Sequence, residues 1–196
     1  MSHRRGSLSS NDLFPREIDI EICLKTLKIY QKLEGDVNCV VWDASLVLAK
    51  YLETICQEKP DFLSGTRVLE LGSGLGVVGL TAATLGAQVT LTDLPEALPL
   101  LRLNISENKQ KIGSMGGYAI AEVLEWGDNN SDIHKQEFDM VVLADCVYYE
   151  DVIYVNILNF YMLLKGLLLH DALSKFCFII MSFNCIVYYL FHLYDA

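Results

Sequence analysis

Val68-Leu-Glu-Leu-Gly-Ser-Gly-Leu-Gly-Val-Val-Gly79 is the stretch that decides the fold. Val68 to Leu71 reads as a short buried strand, and Val77, Val78 and Leu80 open a helix. Between them Gly72, Gly74 and Gly76 alternate with Ser73 and Leu75. A strand that passes through glycines into a helix brings backbone close to a ligand and aims unpaired helix N–H groups at it. A plain tight turn needs fewer glycines than this.

Downstream, strands and helices alternate. A helix over 77–85 closes at Gly86, and a strand over 89–92 ends at Asp93. Pro95 suits the first turn of a helix whose Leu98, Leu101 and Ile105 face inward. Strands follow over 118–123 and 138–144, the second an unbroken apolar run suited to a parallel sheet covered on both faces. This alternation predicts an α/β fold with a doubly wound sheet, right-handed crossovers and a ligand at the carboxyl ends of the strands.

Upstream, Ile18, Ile20, Ile22 and Leu24 alternate with polar residues, and Leu27 and Ile29 continue after a shift. That pattern predicts a half-buried strand or hairpin, broken at Gly35-Asp36. Ala44, Val47, Leu48, Tyr51, Leu52 and Ile55 recur at helical spacing. Residues 1–16 are expected to form a flexible terminus and 17–196 a single domain. In the apolar tail, 152–196, a helix and then a fifth strand over 176–181 are expected. Its two apolar runs are borderline against the ~20 residues of a membrane helix, so a membrane hairpin is the lesser reading.

The 196 residues carry a net charge of −10, with 52% apolar and 20% charged residues. A chain of this kind buries a full core and is neither disordered nor a coiled coil. Its acidity argues against a nucleic-acid surface, which needs a basic stripe. Cys23, Cys39, Cys56, Cys146, Cys177 and Cys185 form no Cys-x-x-Cys pair and have no clustered His. They read as mostly buried, reduced thiols of a cytoplasmic protein, with no metal site. Residues 1–11 lack the apolar core of a signal peptide.

Two ligand readings compete at the loop. Gly74 to Gly79 fits G-x-G-x-x-G, and Asp93 lies 19 residues beyond Gly74, as in a dinucleotide site. The framing Glu70-Leu-Gly72-Ser-Gly74-Leu-Gly76 fits an S-adenosylmethionine site better. That ligand has a sulfonium and an ammonium but no pyrophosphate, so an acid at Glu70 is tolerated or used. Asp93 has the lone pairs to accept both ribose hydroxyls, and is also a candidate helix cap before Pro95. Ala144-Asp145-Cys146-Val147-Tyr148 places a carboxylate and an aromatic ring at the end of another strand.

Six runs together carry a resemblance: Cys39-Val-Val-Trp-Asp-Ala44, Lys50-Tyr-Leu-Glu-Thr54, Val68-Leu-Glu-Leu-Gly-Ser-Gly74, Ala82-Ala-Thr-Leu-Gly-Ala87, Val123-Leu-Glu-Trp-Gly127 and Ala144-Asp-Cys-Val-Tyr-Tyr149. Over 37–150 the chain resembles the seven-strand protein lysine methyltransferases that act on chaperone-type and AAA-ATPase proteins. The likeness is nearest the branch that methylates valosin-containing protein. It implies a Rossmann-like sheet of the class I methyltransferase type, with S-adenosylmethionine as cofactor and a protein as substrate. By the same resemblance Trp42 contacts the cofactor, Gly72, Ser73 and Gly74 wrap its methionine part, and Asp93 holds the ribose. Trp126 lies by the adenine and Ala144 lines the pocket. Asp145 and Tyr148 match the Asp-x-x-Tyr element beside the target amine. Without the resemblance, Trp42 and Trp126 read as core residues.

Beyond Glu150 the likeness fades. The family continues with a helix, a fifth strand and a closing antiparallel pair, a pattern not legible in this tail. The expectation is an incomplete set of C-terminal strands, as in an alternative isoform. The competing function is then a non-catalytic fold that binds cofactor or a partner.

Overall fold

The computed structural model describes residues 12–34, 37–125, 131–145, 177–182 and 185–189. Strands β1 (Leu13–Ile20) and β2 (Lys25–Lys32) form a separate antiparallel hairpin, from Leu13 opposite Lys32 to Ile20 opposite Lys25. β1 therefore begins inside the stretch expected to be flexible, because pairing with β2 orders residues 13–16. The inward alternation expected through Ile22 and Leu24 stops at Ile20. Glu21–Cys23 forms one 3-10 turn, and Leu24 takes a left-handed conformation at φ 53° with its N–H on the Glu21 carbonyl. Ile22 and Leu24 are exposed as a result.

Helix α1 (Asp43–Glu58) buries Ala44, Leu48, Ala49, Leu52, Glu53 and Cys56, while Val47 lies on its solvent side. Of the cysteines whose side chains are described, Cys56 is buried as expected and Cys23 and Cys39 are only partly so. β3 (Arg67–Leu71), α2 (Val77–Thr84), β4 (Gln88–Asp93), α3 (Leu98–Gly113), β5 (Tyr118–Val123) and β6 (Met140–Ala144) follow in the expected alternation. Every residue of α2 is buried, as befits a helix that is apolar all round. It packs on β3, β4 and β5, between α1 and α3, and also meets β2.

Two helix details differ from the sequence reading. Pro99, not Pro95, occupies the first turn of α3, whose N-cap is Ala97. The buried row of α3 is Leu98, Leu101, Asn104, Asn108 and Ile112, with Ile105 only partly covered. β6 starts at Met140 rather than at residue 138, because Asp139 is held by Arg67. Its carboxylate accepts from the Arg67 backbone N–H at 2.9 Å and from the guanidinium at 3.0 and 2.9 Å.

The main sheet has the order β5-β4-β3-β6-β7-β8, where β7 is Cys177–Ser182 and β8 is Cys185–Tyr189. β5, β4, β3, β6 and β7 are parallel, and β8 runs antiparallel to β7. The fifth parallel strand falls one residue later than expected. β8 was not expected: Cys185-Ile-Val-Tyr-Tyr189 is rich in β-branched and aromatic residues, and it folds back with Cys185 opposite Ser182. The helix expected within 152–169 lies outside the described residues. Among the described residues, no helix is long and apolar enough to cross a membrane.

Candidate active site

The strand order reverses between β3 and β6. The chain runs outward from β3 to β4 and β5, then returns to β6 on the other side of β3. In open α/β sheets the crevice at such a switch point, outside the carboxyl ends of the strands, takes the ligand. The register aligns the rim. Leu71 pairs with Thr92 on one side and with Leu143 on the other, so Asp93, Gly72 and Ala144 follow at the same level. Asp145 stands one residue further along, next to the switch point.

Gly72, Gly74 and Gly76 all sit in the left-handed region, at φ 61°, 52° and 83°. At Gly76 space forbids a side chain as well, since a Cβ would lie 2.6 Å from Leu101 and 2.9 Å from Leu91. At Gly74 a Cβ would meet nothing within 4 Å. The loop therefore packs against the core at Gly76 and opens to free space at Gly74.

Ser73 pins this loop to β4. Its N–H donates to the Thr92 carbonyl at 2.9 Å, and its hydroxyl accepts from the Thr92 N–H at 3.0 Å. The hydroxyl also donates to the Glu70 carbonyl at 3.3 Å. Asp93 completes the link, for its Oδ2 accepts from the Gly74 N–H at 2.7 Å and its Oδ1 from the Leu94 N–H at 2.7 Å. The helix-cap role considered for Asp93 is thus replaced by a loop-holding one, because α3 begins later. Burial pushes the Asp93 carboxyl above the ordinary aspartate range, against the pull of those two N–H groups. Its remaining lone pairs are what a ribose diol needs.

Glu70 lies beneath the loop and is 3% exposed. Its Oε2 accepts from the Gly79 N–H at 2.9 Å, satisfying one of the orphan donors of the first turn of α2. Burial raises its pKa to about 8, opposed by the Gly79 N–H and the Ser73 side chain. Through its bond from the Gly79 N–H Glu70 is turned toward α2, while Asp93 ends β4 and Asp145 follows β6.

Asp145 adopts φ 54°, a conformation non-glycine residues seldom take and one that clusters at functional sites. Trp42 is no core residue: it is 45% exposed at the N-terminus of α1, with its indole N–H fixed on the Val37 carbonyl at 2.7 Å. Trp126 and Tyr148 lie outside the described residues. Sequence reasoning missed Thr92 and Asn104. The Thr92 hydroxyl donates to the Glu70 carbonyl at 2.7 Å, and Asn104 donates to the Leu75 carbonyl at 3.1 Å. The available signal was a polar residue on the inward stripe of α3.

A family model described as lysine methyltransferase matches residues 23–169. The chain belongs to the lysine methyltransferase family. It is 43% identical over 115 residues to the protein N-lysine methyltransferase METTL21A of Mus musculus, covering 59% of this chain and 50% of that protein. It is 38% identical over 148 residues to the EEF1A lysine methyltransferase 3 of Xenopus tropicalis, covering 74% and 62%. The chain spans half to three-fifths of the length of these relatives.

Solved structures agree on the fold. A methyltransferase from Agrobacterium tumefaciens described as SAM dependent superposes with a TM-score of 0.56 at 14% identity, covering 93% of this chain and 56% of that one. The 16S rRNA N2 G1207 methyltransferase RsmC of T. thermophilus, solved with AdoMet and guanosine, gives 0.55 at 18%, covering 89% and 43%. The sheet of this chain is thus of the Rossmann-like type seen in class I methyltransferases. S-adenosylmethionine, the cofactor favoured from the glycine loop, is the ligand in that neighbour.

Proposed function

We propose that this chain is an S-adenosylmethionine-dependent protein-lysine N-methyltransferase of the cytoplasm, acting on a chaperone-type or AAA-ATPase protein. The observation that carries the catalytic part is the rim of the switch point. There a left-handed glycine loop open at Gly74, the Asp93 carboxylate and a conformationally strained Asp145 follow adjacent strands. The substrate class rests on the six family-like runs and the location on the pattern of cysteines. Gly74 lies against the methionine part of the cofactor, Asp93 holds the ribose, and the target amine enters beside Asp145. Trp42 and Ala144 line this volume; Trp126 and Tyr148, given a place in it by the resemblance, lie outside the described residues.

The reaction is an in-line transfer of a methyl group from sulfonium sulfur to the lysine Nζ. Lysine has an ordinary pKa of ~10.4, so exposing the neutral amine near pH 7.4 costs about 4 kcal/mol. A carboxylate beside an ammonium favours the charged form, so Asp145 cannot supply that free energy by charge. Its role is to hold and aim the amine, from which much rate derives. The amine would release its proton to solvent before transfer, a loss that the positive charge supplied by a bound cofactor would favour.

Asp145→Ala is expected to leave S-adenosylhomocysteine binding within about twofold and to lower methyl transfer by about 100-fold or more. The checks are calorimetry and radiolabelled transfer into a cell lysate. Undiminished transfer removes Asp145 from the mechanism. Cofactor binding by the unaltered chain without any transfer favours the non-catalytic module, and preference for NAD restores the dinucleotide reading.

A further inference from the structure

We infer that Asn104 is a positioning residue for the cofactor loop, holding it through the Leu75 carbonyl with the same amide that meets β2. This inference rests on the proposed S-adenosylmethionine site. Asn104 and Asn108 lie four residues apart on the buried face of α3, and both are completely shielded from solvent. Together they act as a substitute strand against β2. The Asn108 amide accepts from the Lys28 N–H at 2.9 Å and donates to the Lys28 carbonyl at 2.8 Å. The Asn104 amide accepts from the Tyr30 N–H at 2.8 Å and donates to the Tyr30 carbonyl at 3.2 Å. Residues 28 and 30 present their backbone groups on the same side of the strand, so two amides one helical turn apart meet both.

The two asparagines differ in where the second amide hydrogen goes, and Asn108 Oδ1 also accepts from Lys111 Nζ of α3 at 3.4 Å. The second amide hydrogen of Asn104 goes to the Leu75 carbonyl, inside the glycine loop. The second amide hydrogen of Asn108 goes to the Asn104 carbonyl, within α3 itself. Leu75 lies between Gly74, which faces the open side, and Gly76, which packs on the core. Fixing the Leu75 carbonyl fixes the peptide plane that joins Leu75 to Gly76. One side chain thus ties β2, α3 and the loop together, whereas its neighbour ties only β2 and α3. Ser73 and the Gly74 N–H tie the loop to Thr92 and Asp93 of β4, and Asn104 anchors it on the α3 side. Glu53 of α1 seats the far end of the hairpin by accepting from the Ile22 N–H at 3.0 Å, away from the loop.

The test compares Asn104→Ala with Asn108→Ala in the full chain, at a temperature where circular dichroism shows both folded. Each variant removes the two bonds to β2, so each loses stability. Binding of S-adenosylhomocysteine, read by calorimetry, is expected to weaken about tenfold or more in Asn104→Ala and to change less than about twofold in Asn108→Ala. Asn104→Ser, which keeps a short polar group in the same place, supplies the comparison if the alanine variant does not fold. It is expected to weaken binding more than Asn108→Ala does. Equal effects at the two positions, or none at either, overturn the inference and leave the proposed function standing. Failure of the unaltered chain to bind S-adenosylhomocysteine overturns both.

Discussion

Glu70 and Asp93 are both acids at the ends of neighbouring strands, yet they meet opposite surroundings. The Glu70 carboxyl is wholly buried and titrates at about 8 instead of 4.5. As pH rises above about 4.5, the unfolded chain releases this proton while the folded chain keeps it. The stability contributed by the protonated group is full below that pH, falls across 4.5 to 8 and is gone above the folded value. The limiting size is about 3–5 kcal/mol. Glu70→Gln removes the titration but retains an oxygen for the Gly79 N–H. Urea unfolding at pH 5 and pH 9 is expected to show the unaltered chain losing more stability than the variant by a few kcal/mol. Equal losses would show that Glu70 titrates normally.

The glycines of the same stretch are also unequal. A Cβ at Gly79 collides with Glu70 Oε2, and it lies 2.8 Å from Leu91 Cδ2. Gly79→Ala is therefore expected to cost about 1–3 kcal/mol of stability, measured by chemical unfolding. Gly74→Ala meets no atom, and only its left-handed backbone is penalised, by about 1–2 kcal/mol. Its methyl group enters the open side of the loop, so S-adenosylhomocysteine affinity is expected to fall in Gly74→Ala by more than in Gly79→Ala. Equal affinities would place the cofactor elsewhere.

At the scale of elements, the hairpin shows how a correct pattern ends at an unpatterned point. The alternation of β1 is legible, but the turn is not, because its left-handed position holds Leu24 and not glycine or asparagine. Leu24 is 91% exposed, so packing does not require its side chain. Leu24→Gly removes the left-handed penalty and adds unfolded-state entropy. The net gain is expected to be about 0.5–1 kcal/mol, seen as a rise of a few degrees in Tm. A fall in Tm would mean that the side chain contributes to stability despite its exposure. Helix α3 shows the converse. Its apolar spacing identifies a helix, while the two asparagines on its inner face acquire meaning only once β2 lies against them.

Across the whole molecule, the glycine stretch and the alternation after it sufficed for the parallel sheet, the position of the loop and the acid that follows β4. Strand and helix periods are local, and a run of apolar residues fixes them without distant partners. The family and its cofactor class were legible for the same reason, since their motifs are contiguous runs. What β8 pairs with, where Glu70 points and which side chain anchors the loop are relations between residues far apart in the chain. Leu75 and Asn104 are 29 residues apart, and Asn104 and Tyr30 are 74 apart. Glu70 reads as a rim acid in sequence because it stands next to the loop. It becomes a buried one because α2 folds back over β3 and offers it the Gly79 N–H. Local order thus came from the sequence's periods, and the direction of these polar side chains from which donor or acceptor the folded chain brought within hydrogen-bonding reach.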